Sequence, residues 1–230
     1  MKTIISLTLL LLTANVCADT SQCFGTTAKG SLEGGVMLPM SGDNFDNYSL
    51  VAVAAGRTYV HAKVRDILVA SYKELETTQP GKVYMYGETG YARGGRFSPH
   101  KTHQNGLSVD FMTPVVNDEG ESELLFTHVF NRFGYDIEFD AKGRYDGQHI
   151  DYDAMAAHIV ALHKQARAQG VKIWRDIFDP KLQPGLFNTS DGDYLKAHIQ
   201  FSTKPSWVRH DEHYHVDFDI PCKPVAVAKH

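Results

Sequence analysis

The chain has 230 residues, 23 basic and 27 acidic side chains and a formal net charge of −4. A chain of this length can bury a substantial core and fits one domain better than two. The mild acidity argues against nucleic acid as a partner, since that needs a basic face, and no repeat, low-complexity tract or Pro/Ser linker marks a second module.

Residues 1–18, "MKTIISLTLLLLTANVCA", place one lysine before an apolar run from Ile4 to Leu12 and end on small residues. This pattern predicts a signal peptide cleaved before Asp19, and hence an exported protein, periplasmic or secreted. The apolar run is too short to cross a bilayer, so no transmembrane segment is expected after cleavage. Cys17 would leave with the signal. The remaining pair, Cys23 and Cys222, reads as a disulfide in an oxidising compartment.

Further along, residues 60–75 bring Val60, Val64, Ile67, Leu68, Ser71 and Leu75 to one helical face, with His61 off that stripe and expected in solvent. Pro80-Gly81 ends the segment, and "KVYMYG" predicts a strand. In "YDIEFDAKGRYD" (135–146), Tyr135, Ile137 and Phe139 alternate before Lys142-Gly143, which predicts a hairpin. Residues 153–170 predict a helix with Asp153 as N-cap, a stop at Gly170 and an apolar face of Met155, Ile159, Leu162 and Ala166. His158 and His163 on that helix are badly spaced for sharing a metal and are expected at the surface or in packing. "VKIWRDIF" (171–178) predicts another strand, whereas 188–202 fits helix or loop. Helices and strands mix without a βαβ rhythm. The expected class is therefore α+β, a single domain with a small antiparallel sheet flanked by helices. No glycine-rich phosphate loop follows a strand and no G-x-S-x-G elbow occurs, which disfavours nucleotide and serine-hydrolase chemistry.

Two stretches concentrate the histidines. In "RHDEHYHVDFDIPC" (209–222), Tyr214, Val216, Phe218 and Ile220 alternate with His213, His215, Asp217 and Asp219. Successive strand side chains point to opposite faces, so this is a strand with one face on the core and two imidazoles side by side on the other. A hundred residues earlier, "SPHKTHQNGLSVDF" (98–111) carries His100 and His103, a turn at Asn105-Gly106, and then Leu107, Val109 and Phe111 alternating with Ser108 and Asp110. His103 is expected in the loop entering this second strand, with Asp110 on it. Two imidazoles and a carboxylate are a typical catalytic zinc set with a fourth position open. Structural zinc is usually cysteine-rich, and no cysteine stands among the His and Asp positions of either motif; Cys222, at the end of the second stretch, is already expected to pair with Cys23.

These motifs resemble the penicillin-insensitive murein endopeptidases, within the zinc peptidase group that also holds lysostaphin-type enzymes, D-Ala-D-Ala peptidases and the hedgehog signalling domain. The matching features are His103…Asp110, His213-Tyr214-His215, Gly94-Gly95-Arg96, His100 ahead of His103, and His210 ahead of the His-x-His pair, with Trp207 similar too. The close match spans about residues 94–112 and 205–218. The resemblance implies His103, Asp110 and His215 as Zn2+ ligands, with His213 off the metal as acid or base and His100 and His210 around it. Glu212, three residues before His215, competes with His213 for the role of base, as in the carboxypeptidase-like relatives. If the strand already runs at residue 212, Glu212 faces the core and cannot serve; if the strand begins later, it can. Arg96, Gln104 and Trp207 could contact substrate.

The resemblance further implies an exported zinc metallopeptidase acting on the cross-linked stem peptides of bacterial peptidoglycan. A D-Ala-D-Ala-type carboxypeptidase and a zinc-containing wall-binding or signalling domain without turnover are the alternatives. Oligomeric state and the type of cross-link are not encoded in any feature of the sequence.

Overall fold

The computed structural model describes residues 20–206 and 208–225; the expected signal peptide and Trp207 lie outside the described residues. Its centre is a five-stranded sheet built from β1 (Phe45–Asn47), β2 (Tyr84–Tyr86), β3 (Ser108–Met112), β4 (Lys172–Ile177) and β5 (His213–Asp219). The spatial order is β4-β5-β3-β2-β1. All neighbours are antiparallel except the β1–β2 pair at one edge, which runs parallel. The class is α+β, as expected, with smaller two- and four-stranded sheets around the main one.

Register decides what each face of the sheet carries. On β3 and β5, Val109 lies opposite Val216 and Phe111 opposite Tyr214, and all four are buried. They meet two long helices, α1 (Ala62–Thr78) and α2 (Tyr152–Ala168), which pack on one another. The expected stripes hold from Val64 on: Val64, Ile67, Leu68, Ser71 and Leu75 are buried on α1, and Met155, Ile159, Leu162 and Ala166 on α2, whereas Val60, expected on the first stripe, lies on a two-residue strand before the helix. The other face pairs Asp110 with His215 and Ser108 with Asp217. A slip of one residue would exchange the two faces, so burial on both sides pins the register.

His61 is not in solvent. It is 6% exposed, and its Nδ1 accepts from the Lys63 N–H as the N-cap of α1, while its own N–H bonds Gly106. The N-cap of α2 is Asp151, two residues earlier than expected, with its carboxylate accepting from Ala154 N. His158 is fully buried among Tyr72, Tyr84 and Tyr214, and it bonds the Tyr214 hydroxyl. Residues 192–198 form a short helix.

The hairpin expected at 135–146 lies further on. Arg144–Tyr145 pairs with Gln148–Ile150 around Asp146-Gly147, both on left-handed backbone. That is the Asp-Gly turn that hairpins favour. Ile137 and Phe139 are buried without a strand, because the Phe139 N–H is taken by the Asp211 carboxylate at 2.6 Å. The Cys23–Cys222 disulfide is formed and ties the first described strand to the chain after β5.

Candidate active site

The polar face of β3 and β5 is roofed by three loops, around residues 88–104, 127–135 and 208–212. Between them lies a cavity of about 540 Å³ lined among others by Tyr48, Glu88, His100, Tyr135, His210, His213 and His215. The loop carrying His100 and His103 is held close by Gly94. A β-carbon there would sit 2.2 Å from the Gln104 carbonyl, and the neighbouring Gly95 N–H bonds that same carbonyl at 2.8 Å. The Gly-Gly run is therefore a clamp on the site loop. Arg96 and Gln104 do not line the cavity.

Each histidine is oriented by a second partner. His103, on left-handed backbone at φ 67°, points Nδ1 at the Thr89 carbonyl at 3.0 Å, which leaves Nε2 as an acceptor. Nε2 faces Asp110 Oδ1 at 3.3 Å, is fully buried and has no hydrogen-bond partner. His215 contacts Asp217 Oδ1 through Nε2 at 3.0 Å and Asp110 Oδ1 through Nδ1 at 2.7 Å. Asp217 is itself bound by Ser108 Oγ at 2.5 Å and Arg175 Nε at 2.7 Å.

His100 touches Glu88 Oε2 through Nε2 at 2.5 Å and turns Nδ1 toward Asp110 Oδ2 at 3.9 Å. His213 mirrors it, with Nδ1 2.7 Å from Glu212 Oε1 and Nε2 3.8 Å from Asp110 Oδ2. Two carboxyl-backed imidazoles thus converge on one carboxylate oxygen. Tyr135 donates to that same oxygen at 3.0 Å and accepts from the Glu88 N–H. His210, also left-handed at φ 53°, points Nδ1 at the Val208 carbonyl at 2.7 Å, and its ring lies 4.6 Å from that of His213.

The strand begins at His213, yet Glu212 does not line the cavity. Its carbonyl continues the ladder to the Thr113 N–H at 2.9 Å, while its buried carboxyl sits behind His213.

The electrostatics favour a cation beside Asp110. Burial alone would raise the Asp110 and Asp217 carboxyls, but the surrounding histidines outweigh it and hold both well below the usual range, helped at Asp217 by Arg175. Burial would lower His215, yet Asp217 and Asp110 push it up to about 10. Elsewhere burial wins. Glu212 is raised to about 8, and His213 and His210 are lowered to about 4 and 3. Both shifts disfavour charge on the Glu212–His213 pair. Glu88 opposes its burial through His100 and Arg57 and falls to about 2.

The donor set fits a divalent metal of the zinc type. The candidate ligand atoms of His100, His103 and Asp110 all lie within 4.8 Å of one another, and His215 Nδ1 joins them on Asp110. Imidazole nitrogen and carboxylate oxygen are zinc ligands, and imidazoles braced by carboxylate and carbonyl groups are how proteins orient them. The site residues that sequence reasoning missed are Glu88, Tyr135, Thr89 and the bracing role of Asp217. Only Asp217, at alternating spacing from His215, carried a local signal.

A buried His/Asp cluster of this kind, roofed by loops and open to a cleft, defines a candidate metal-assisted hydrolase. The family model of penicillin-insensitive murein endopeptidases matches residues 23–227, and the chain belongs to that family. No curated protein matches the chain. Among the described residues no helix is long and apolar enough to cross a membrane.

Proposed function

We propose that the protein is an exported zinc-dependent endopeptidase that hydrolyses peptide cross-links of peptidoglycan. The observation that carries this reading is the buried, unpartnered Nε2 of His103 facing Asp110, next to a cleft lined by His100, His213 and His215, in a chain of a murein endopeptidase family. His103 through Nε2, Asp110, and His215 through Nδ1 would hold the ion, leaving a position open. Bound there, zinc would polarise the scissile carbonyl and make water more acidic.

The protein's own groups divide the remaining work. His213 lines the cleft with Nε2 turned toward Asp110, and Glu212 fixes the ring through Nδ1. His213 Nε2 takes a proton from the attacking water and returns it to the leaving amine, the usual duty of a positioned imidazole. Glu212 is a positioning residue in this scheme, acting through His213. His100, held by Glu88, faces the cleft and is assigned to the developing oxyanion. His210 packs against His213 and shields the site.

Incubating the mature protein with purified cross-linked muropeptides, and weighing the products, tests the proposal. Monomers released from dimers support it. Loss of a single alanine from uncrosslinked stems would instead indicate a carboxypeptidase, and unchanged masses with retained binding would indicate a wall-binding domain.

A further inference from the structure

We infer that Arg132 and Arg175 form a carboxylate-binding subsite at the mouth of the cleft, so that the preferred substrate is an acidic peptide with carboxylates flanking the cleaved bond. This rests on the peptidase reading above. The cleft is lined by two arginines, Arg132 and Arg175, in a chain whose net charge is −4. The one carboxylate among its lining residues, Glu88, is already engaged by Tyr48, Arg57 and His100. Arg132 and Arg175 pair instead with Asp136 and Asp217, neither of which lines the cleft.

Arg132 is placed there at a conformational cost. It and Phe133 occupy left-handed backbone in succession, at φ 50° and 58°, where side chains other than glycine are disfavoured. Asn131 maintains this arrangement, because its carbonyl oxygen accepts from the His128 and Gly134 N–H groups and its amide donates to Phe126. Backbone held in sparsely populated regions by its surroundings concentrates at functional sites. Here it delivers a cation and an aromatic ring to the cleft wall. The Arg132 side chain is 78% exposed, and its ion pair with Asp136 is long, 3.5 Å.

Arg175 comes from strand β4 and the sheet side of the cleft. Asp217 holds its Nε at 2.7 Å, and its guanidinium lies 4.5 Å from the centre of the half-exposed Trp174 ring. One carboxylate and one aromatic face fix its plane, which reduces the ordering cost of binding. Guanidinium groups match carboxylates through paired N–H···O bonds, so this pair selects for carboxylate anions.

The test compares two cross-linked dimeric muropeptides, identical except that the stem carboxylates are free in one and amidated in the other. Wild type should prefer the free form by about tenfold, a charge-assisted hydrogen bond discounted for exposure. Arg132→Gln should raise KM on the free form by about that factor, leave kcat within about twofold, and leave the amidated form unaffected. Arg175→Gln should lose the same preference, read as the ratio between the two dimers at measured metal content, because Asp217 joins Arg175 to His215. A wild type without preference, or an Arg132→Gln protein that keeps the wild-type preference, would overturn the inference. If neither dimer is cleaved, the peptidase reading fails separately. Calorimetric titration of the same two dimers then decides the subsite: selective binding of the free form, lost in Arg132→Gln, supports it, and equal binding overturns it.

Discussion

His103 Nε2 lies 3.3 Å from Asp110 Oδ1, fully buried, without forming a hydrogen bond to it or to any other described group. A buried imidazole nitrogen left in this state costs free energy unless something electropositive completes it. With Nδ1 committed to the Thr89 carbonyl, Nε2 can only accept. A metal ion there would satisfy it and the carboxylates around it together.

The ligand assignment separates His215 from His100, both of which turn Nδ1 toward Asp110. His215→Ala should remove most of the zinc from a protein that otherwise carries about one equivalent, while His100→Ala should keep it. Metal analysis of the two purified variants checks this. The reverse pattern would make His100 the third ligand.

His213→Ala should retain zinc and lose about 10²- to 10⁴-fold in turnover, the usual contribution of a positioned acid or base. Glu212→Gln keeps a polar group at hydrogen-bonding distance from Nδ1 but not the carboxyl, and should cost about tenfold or less. Both are to be assayed on one muropeptide with zinc content measured in parallel. Should Glu212→Gln abolish activity while His213→Ala is mild, the two roles are exchanged.

Acid should unfold the protein partly through Glu88. Its carboxyl falls from an ordinary 4.5 to about 2, because burial is outweighed by His100, Arg57 and Tyr48. A carboxyl with a depressed folded-state value stabilises the fold fully above the unfolded value and loses that contribution as pH falls. The loss should run from about pH 4.5 down to about 2. In thermal melts across this window, Glu88→Gln should start lower and decline less steeply than wild type. A parallel decline in both proteins would assign acid unfolding to other carboxylates.

The disulfide joins positions 199 residues apart. The chain-entropy account values such a closure at about 5 kcal/mol, as an upper figure. Replacing Cys23 and Cys222 together by serine should lower the melting temperature by about 10 °C. An unchanged melting temperature would mean that the packing of Cys23, not the bond, secures the terminus.

Much of this architecture was legible where side-chain alternation reports directly on burial. The β5 pattern from Tyr214 to Phe218 and the β3 pattern from Ser108 to Phe111 predicted both faces of the sheet, and their pairing sets Asp110 opposite His215. The apolar stripes of α1 and α2 were readable for the same reason. Where a backbone group is satisfied by a distant side chain, the local pattern misled. Ile137 and Phe139 alternate like a strand, but Asp211, far along the chain, accepts the Phe139 N–H and no strand forms. Asp146-Gly147 carried the stronger turn signal a few residues later. His61 lay off the helical stripe because it caps the helix instead of packing along it. Glu88 and Tyr135 reach the site only through the way the loops fold over the sheet. Gly87 lets Tyr135 in, since a β-carbon there would stand 2.7 Å from the tyrosine oxygen.

The most direct test of the central claim is a metal-depletion and refilling experiment on one preparation of the mature protein. The chelated protein, the same protein given one equivalent of zinc, and zinc alone are incubated with a purified cross-linked muropeptide dimer, and the products are weighed. The account expects monomers only from the refilled protein, at a rate set by zinc occupancy. Equal cleavage by the chelated protein, or intact dimer after refilling to full occupancy, would contradict it.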